Sequence, residues 1–343
     1  MLPVPEKVRK NWAVMGYLFG LVRQIDPDLK FMVDTFTLVG FLWFAKRFLC
    51  FTGQIFSGVR VHFWARLWTL DLKKKYGQWV MITGATDGIG LSYAREFAKR
   101  GHSLILLGRN QEKLDRVKLE LKKHIPEDNI VLVCADLSTA TSDTYKEVAS
   151  QIKGMERDIG ILFNNAGVML PSPNRFLDQP ESSIWQHCTV NIAGVLMITR
   201  CVLPGMCKRK RGLIINMSSM AAFYPMPTMG VYSASKKFVE SFSRSLEFEY
   251  RQYGIEVQTL IPSYIATKMV GWSKVLSSAN LFTPSSETFA KSAIATIGRT
   301  NETTGYWSHG LQHWYNSHFM NQTMWNWACW FGLKSIDTSK RSR

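Results

Sequence analysis

Trp79-Val80-Met81-Ile82-Thr83-Gly84-Ala85-Thr86-Asp87-Gly88-Ile89-Gly90 joins an apolar run to three closely spaced glycines. The run Trp79 to Thr83 predicts a strand, and the pattern that follows predicts a helix beginning near Leu91. Gly84, Gly88 and Gly90 permit a tight turn between them and let the backbone come close to a pyrophosphate, which would sit at the positive end of the helix. Thr86, Asp87 and Ile89 share that loop. Glycines also make plain turns, so the strand before and the helix after give the trio its meaning.

Outward from this loop, short apolar runs alternate with longer helical patterns. The runs are Ser103 to Leu107, Ile130 to Cys134, Ile159 to Phe163, Leu213 to Asn216 and Ile255 to Ile261. Such alternation predicts an α/β chain of Rossmann type, a doubly wound parallel sheet with helices on both faces. The second strand ends Gly108-Arg109-Asn110, an arginine where a carboxylate would bind the ribose hydroxyls of NADH. A carboxylate would repel a 2′-phosphate and Arg109 can pair with it, which favours NADPH; the bland alternative is an exposed arginine that ends a strand. Asp136 and the run Asn164-Asn165-Ala166-Gly167 fall at carboxyl ends of strands, where open α/β sheets bind ligands; either can also cap a helix or close a turn.

A third constellation is Ser218-Ser219, then Tyr232-Ser233-Ala234-Ser235-Lys236 at the start of a helical pattern. Tyr232 and Lys236, four residues apart, share a helix face. A tyrosine with a pKa near the ordinary value of about 10 is a poor proton donor near neutrality until a cation lowers it, and Lys236 offers one. Ser219 can hold a substrate oxygen by a hydrogen bond. Taken singly, each of these residues is commonplace.

In order and spacing the motifs resemble the short-chain dehydrogenase/reductase family from about Trp79 to Thr267. The resemblance implies hydride transfer from NADPH to a carbonyl, with Tyr232 as acid/base. Lys236 would lower the tyrosine's pKa and bind the nicotinamide ribose, and Ser219 would orient the carbonyl. Asn191, in Thr189-Val190-Asn191-Ile192, would hold a relay water. The implied cofactor contacts are Gly84, Thr86, Asp87, Gly88, Ile89, Gly90, Arg109, Asp136, Asn165, Ala166, Gly167, Tyr232, Lys236, Pro262, Ile265 and Thr267. Substrate would meet Ser219, Phe223, Tyr224 and Tyr264, with Met226, Ile265 and the stretch Met269 to Phe289 as further candidates. Within the family, the glycine loop, Tyr250 to Ser263 and the apolar N-terminal extension resemble the very-long-chain 3-oxoacyl-CoA reductase and 17β-hydroxysteroid dehydrogenase type 12 group. The run Thr303-Thr304-Gly305-Tyr306-Trp307-Ser308-His309 is similar to the hydroxysteroid dehydrogenase-like protein 1 branch. The resemblance implies phenylalanine at the tyrosine position in vertebrate members of that branch; this chain keeps Tyr232. The implied substrates are bulky and hydrophobic, a 3-oxoacyl-CoA or a 17-keto steroid, and a homodimer is implied through the helices carrying Asn191 and Tyr232. The alternative is a cofactor-binding protein of scaffold or regulatory role with little turnover.

The 343 residues divide into a hydrophobic segment over 1–76, a dinucleotide-binding domain over 77–310 and an aromatic C-terminal segment over 311–343. With 46% apolar and 20% charged residues the chain reads as globular rather than disordered. Trp12 to Val22, Phe31 to Ala45 and Phe48 to Val59 are apolar, with Lys46 and Arg47 interrupting the last two. A crossing needs roughly 20 mostly apolar residues, so a tilted or re-entrant pair and a helix lying in the headgroups fit equally well. No signal for cleavage follows the charged stretch Glu6 to Lys10, and the N-terminus is expected to be retained. Lys73, Lys74 and Lys75 read as a headgroup contact or a solvated linker. Thr304 to Leu333 has no charged side chain and five tryptophans, a composition for a pocket wall, an interfacial anchor or ordinary packing. The six cysteines lack metal-ligand spacing and several lie in runs that read as buried, so no metal and a reducing compartment are expected. A net charge of +16 does not distinguish nucleic acid from membrane or anionic ligand. The run Lys208-Arg209-Lys210-Arg211 sits where a solvated loop is expected, and no nucleic acid is expected. Lys340-Arg341-Ser342-Arg343 loosely matches a basic retrieval signal, which suggests the endoplasmic reticulum membrane with the domain facing the cytosol; the mitochondrion is the alternative.

Overall fold

The computed structural model describes residues 16–17, 20, 27–68, 70–169, 173–271 and 273–341, with backbone only at 27–29, 66, 274 and 332–341. Part of the Trp12 to Val22 run, the side chains of Lys340 and Arg341, and all of Ser342 and Arg343 lie outside this description. Internal contacts divide the chain into two units, 1–59 and 60–343.

The first unit is dominated by α1, Pro27–His62, which runs on past the unit boundary. Within it, Lys30–His62 is long and apolar enough to cross a membrane by length and composition. Phe31, Phe36, Phe41, Trp43, Phe44, Phe48 and Phe56 are all exposed on it. The runs Phe31 to Ala45 and Phe48 to Val59 lie on this one continuous helix. Thr37 and Thr52 hydroxyls donate back to the Val33 and Phe48 carbonyls, so their polar groups are satisfied within the helix, and the Arg47 guanidinium lies over the Trp43 ring.

The second unit is built on α2 (Leu72–Tyr76), β1 (Trp79–Thr83), α3 (Gly88–Lys99), β2 (Ser103–Gly108), α4 (Gln111–Leu121), β3 (Ile130–Cys134), α5 (Ser142–Gly154) and β4 (Ile159–Asn164). There follow α6 (Glu181–Gln186), a π-helical turn (His187–Gly194), α7 (Val195–Arg209), β5 (Gly212–Met217), α8 (Gly230–Tyr250) and β6 (Ile255–Leu260). The chain ends with α9 (Lys274–Ser277), α10 (Ser286–Ala295), β7 (Glu302–Thr303), α11 (Trp307–Phe319) and α12 (Gln322–Arg341). The strands form one parallel sheet in the order β3-β2-β1-β4-β5-β6-β7.

The strands are apolar at consecutive positions because both faces of the sheet are covered. Val80, Ile82, Leu104, Leu106, Ile161 and Phe163 pack with Tyr93 and Phe97 of α3, Leu114 of α4 and Phe289 of α10. The alternate residues Met81, Ile105, Leu107, Leu162 and Ile214 pack on the other face with Tyr145 of α5, Ile198 and Val202 of α7 and Leu246 of α8. Helix α3 starts at Gly88 rather than near Leu91, because the Asp87 carboxylate accepts the Gly88 N–H at 2.8 Å and caps it. None of the six cysteines is buried: all are free, Cys50 and Cys134 exposed and the others half-buried. Cys134 ends an edge strand, where an apolar run does not guarantee burial.

Strand order reverses between β1 and β4, which opens a crevice at the carboxyl edge of the sheet.

Candidate active site

The crevice holds a cavity of about 600 Å³. Its first wall is the glycine loop, where Gly84 and Gly88 take φ of +65° and +53°, a region that favours glycine. A Cβ on Gly90 would stand 2.3 Å from the Gly84 carbonyl oxygen and 2.5 Å from Asn165 Nδ2. Asn165 braces the loop: its Nδ2 donates to the Thr83 and Gly84 carbonyls at 3.0 and 3.2 Å. The N–H groups of Asn165 and Ala166 donate to Thr83 Oγ1 at 3.0 and 2.9 Å. Asn165 therefore works on the loop's backbone as well as lining the cavity.

Asp87 also meets Lys268, 2.6 Å away across the mouth. Burial pulls its carboxyl upward, but the Lys268 hydrogen bond, the Gly88 N–H and the charges of Lys268 and Lys113 together hold it below the usual range. Asp136 accepts from the Ser138 N–H and hydroxyl at 2.9 and 2.7 Å, a turn that lines the cavity floor. At the far end Arg109 is exposed on the lining, and beside it stands Lys113 from the first turn of α4. Lys113 was not expected; the signal was its place one turn into a helix whose cap, Asn110, follows Arg109.

The glycine cradle is a fit for a pyrophosphate, because side chains there would overlap backbone, and the basic pair fits an additional phosphate. No metal-ligand cluster occurs among the described residues.

On the opposite wall, α8 carries Tyr232 and Lys236, both buried. Ser219 stands beside the Tyr232 phenol and favours its ionised form, and its hydroxyl oxygen accepts from the Ala221 N–H at 3.2 Å. Lys236 Nζ donates to the Met217 carbonyl at 2.9 Å and lies 5.8 Å from the Tyr232 ring centroid. The electrostatics differ from the expectation that Lys236 makes the phenol acidic. Burial raises the Tyr232 pKa, the neighbouring Ser219 hydroxyl counters this in part, and burial lowers Lys236 to about 8. Burial, which disfavours the charged form of both groups, outweighs what the Lys236 ammonium does for its neighbour.

Asn191 lies behind the wall in the π-helical turn, fully buried. Its Oδ1 accepts the Val168 N–H at 2.8 Å, and its Nδ2 donates to the Val168 carbonyl at 2.9 Å and Ser235 Oγ at 3.0 Å. Beneath the site, Asn164 Nδ2 donates to Asn216 Oδ1 and Thr199 Oγ1, and Asn216 Nδ2 donates to Ser243 Oγ, a polar network the sequence did not reveal.

Thus Gly84, Thr86, Asp87, Gly88, Ile89, Arg109, Asp136, Asn165, Ala166, Gly167, Ser219, Tyr232, Lys236, Pro262, Tyr264, Ile265 and Thr267 meet at one cavity. Gly90 and Asn191 stand behind it. Phe223 and Tyr224, expected at the substrate, are not among the residues lining this cavity. Phe223 packs on Tyr224 and His313, while the Tyr224 hydroxyl donates to the Met320 carbonyl, so both rings hold the C-terminal helices. Of the other candidates Met226, Tyr264, Met269 and Val270 do line the cavity, joined by Met229 and by Gln312, Asn316 and Trp325 of α11 and α12. Burial drives Tyr264 up to about 12.

The short chain dehydrogenase family model matches residues 78–274. The human inactive hydroxysteroid dehydrogenase-like protein 1 is 37% identical over 317 residues, 92% of this chain and 94% of the relative. The chain belongs to the short-chain dehydrogenase family. Another relative of this dehydrogenase, the very-long-chain 3-oxoacyl-CoA reductase of Anas platyrhynchos, is 41% identical over 252 residues, 73% of this chain and 78% of the relative. Among solved structures, a short-chain dehydrogenase from Sphingobium yanoikuyae in complex with NADPH superposes with a TM-score of 0.58 at 29% identity, covering 66% of this chain and 86% of that one.

Proposed function

We propose that this short-chain dehydrogenase uses NADPH to reduce a ketone on a bulky hydrophobic substrate, a 3-oxoacyl-CoA or a 17-keto steroid. The observation that carries the reading is that Tyr232 and Ser219 share the wall of one cavity, with the buried amine of Lys236 one helical turn away. The bound dinucleotide supplies the hydride. Gly84, Thr86, Asp87, Gly88, Ile89 and Gly90 shape the pyrophosphate cradle, with Arg109 and Lys113 toward the 2′-phosphate and Asp136, Asn165, Ala166, Gly167, Pro262, Ile265 and Thr267 along the remaining wall. Ser219 orients the carbonyl oxygen, Tyr232 gives it a proton, and Lys236 holds the ribose. Asn191 sets the π-helical turn against α8.

Met226, Met229, Met269, Val270 and Trp325 on the cavity lining support a hydrophobic substrate. The exposed apolar helix α1 supports association with a membrane surface, and free thiols support a reducing side. On that basis we assign the endoplasmic reticulum membrane with the domain toward the cytosol, the mitochondrion being the alternative, and a homodimer through the helical segments that carry Asn191 and Tyr232. One observation favours a second reading: a relative 37% identical carries the description inactive, and a cofactor-binding protein of scaffold role would share this fold. Full-length protein given NADPH with 3-oxoacyl-CoA, 17-keto steroid and retinal substrates separates the two. Turnover that vanishes in Tyr232→Phe supports the reductase; tight NADPH binding without turnover of any ketone supports the scaffold.

A further inference from the structure

The π-helical turn brings His187 against the back of Tyr232. The two rings meet edge-on, centroids 6.1 Å apart and planes at 76°, and His187 is 1% exposed. His187 Nδ1 lies 2.6 Å from the Ser183 carbonyl oxygen. A carbonyl only accepts, so Nδ1 carries a hydrogen, and in the neutral ring Nε2 is an acceptor. Burial and, next, the charge of Lys236 oppose a second proton on the ring despite the Ser183 carbonyl. Yet Nε2 is buried and meets no donor among the described residues. Buried polar atoms of this kind are satisfied by ordered water.

The neighbours sharpen the point. Asn191, one helical turn on, has its amide engaged with the Val168 peptide and Ser235, and Lys236 Nζ donates to the Met217 carbonyl. His187 is thus an uncommitted acceptor beside two groups the proposed reaction uses.

We infer that His187 is a positioning residue whose Nε2 holds a buried water between the π-helical turn and Tyr232. The inference rests on the reductase reading. When the Tyr232 O–H bond breaks and its proton passes to the substrate oxygen, the phenolate must regain a proton from solvent before the next turnover. A water held at His187 stands on the buried side of the phenol, and the imidazole edge fixes the ring facing Ser219. The aligned ring and the ordered water both serve the proton step rather than binding.

A crystal structure of the wild-type protein should contain an ordered water within about 3 Å of His187 Nε2. His187→Phe keeps the ring edge but removes the acceptor, so kcat should fall about tenfold with both KM values unchanged. His187→Gln returns an acceptor at similar reach and should recover most of that loss. A bare Nε2, a protein donor on it, a Phe variant with wild-type kcat, or a well-folded Gln variant that recovers nothing would each overturn the inference. If the wild-type protein reduces no ketone, the reductase reading fails, while the crystal still judges the water site by itself.

Discussion

Replacing Lys236 with methionine should stabilise the cofactor-free protein while destroying its activity. The folded chain lowers this amine to about 8 from 10.5, through burial. That displacement corresponds to roughly 3 kcal/mol spent at neutral pH on keeping the ammonium out of water. Methionine is close in volume and removes that burden, but it also removes the hydrogen bond to the Met217 carbonyl, which returns about 1–2 kcal/mol. The net expectation is a gain of about 1–2 kcal/mol, in line with other buried charges replaced by apolar groups. The sign with pH is fixed by the direction of the shift. Between pH 8 and 10.5 the unfolded wild-type chain binds the proton more readily than the folded one, so wild-type stability rises with pH across that window. The advantage of Lys236→Met should therefore be full below about pH 8 and gone by about pH 10.5. Urea titrations of detergent-solubilised full-length protein at pH 7, 9 and 10.5 measure it. A difference that does not change with pH, or a variant less stable at all three, would refute the burial argument. In the same preparation kcat should fall by at least about 100-fold.

Arg109→Glu should weaken NADPH binding about 10- to 100-fold and leave NADH nearly unchanged, by loss of charge-assisted bonds to one phosphate; fluorescence titration with both nucleotides reads the difference. Gly90→Ala forces a Cβ to within 2.3 Å of the Gly84 carbonyl oxygen, and should cost roughly 1–3 kcal/mol or more in a melt and abolish NADPH binding. Trp325→Ala should raise KM for a long or polycyclic ketone several-fold, about 1–2 kcal/mol of lost apolar contact, with NADPH affinity intact; steady-state kinetics against a short ketone is the control.

Much of the fold could be read from the chain because the sheet is covered on both faces. β1 and β2 are apolar or small at every position, since no position faces water. β7 escaped, being two residues paired only at the end of β6 and lacking any apolar run. The glycine loop was legible because backbone must occupy the space a side chain would take, a demand that local sequence records. The substrate wall was legible only as a stretch: the uncharged, tryptophan-rich run Thr304 to Leu333 suggested a pocket wall among other readings, but composition could not single out Gln312, Asn316 and Trp325 as the residues that reach the cavity. Phe223 and Tyr224 follow Ser219 closely enough to suggest the pocket, but their rings turn to the C-terminal helices. His187 carries no motif; only its packing against Tyr232 singles it out. The loop after β5 and the start of α8 were read correctly as neighbours because Ser219, Tyr232 and Lys236 have a joint spacing, while the raised phenol pKa depends on burial that spacing does not convey.

In the proposed reduction Tyr232 gives the oxygen its proton as hydride reaches the carbonyl carbon. NADPH deuterated at the transferring position, incubated with wild-type protein and a 3-oxoacyl-CoA or 17-keto steroid, tests it by mass spectrometry of the alcohol. Deuterium should be found on the carbinol carbon with wild-type protein and be absent with Tyr232→Phe. Bound NADPH with no deuterium in any product, or equal labelling from the phenylalanine variant, would contradict it.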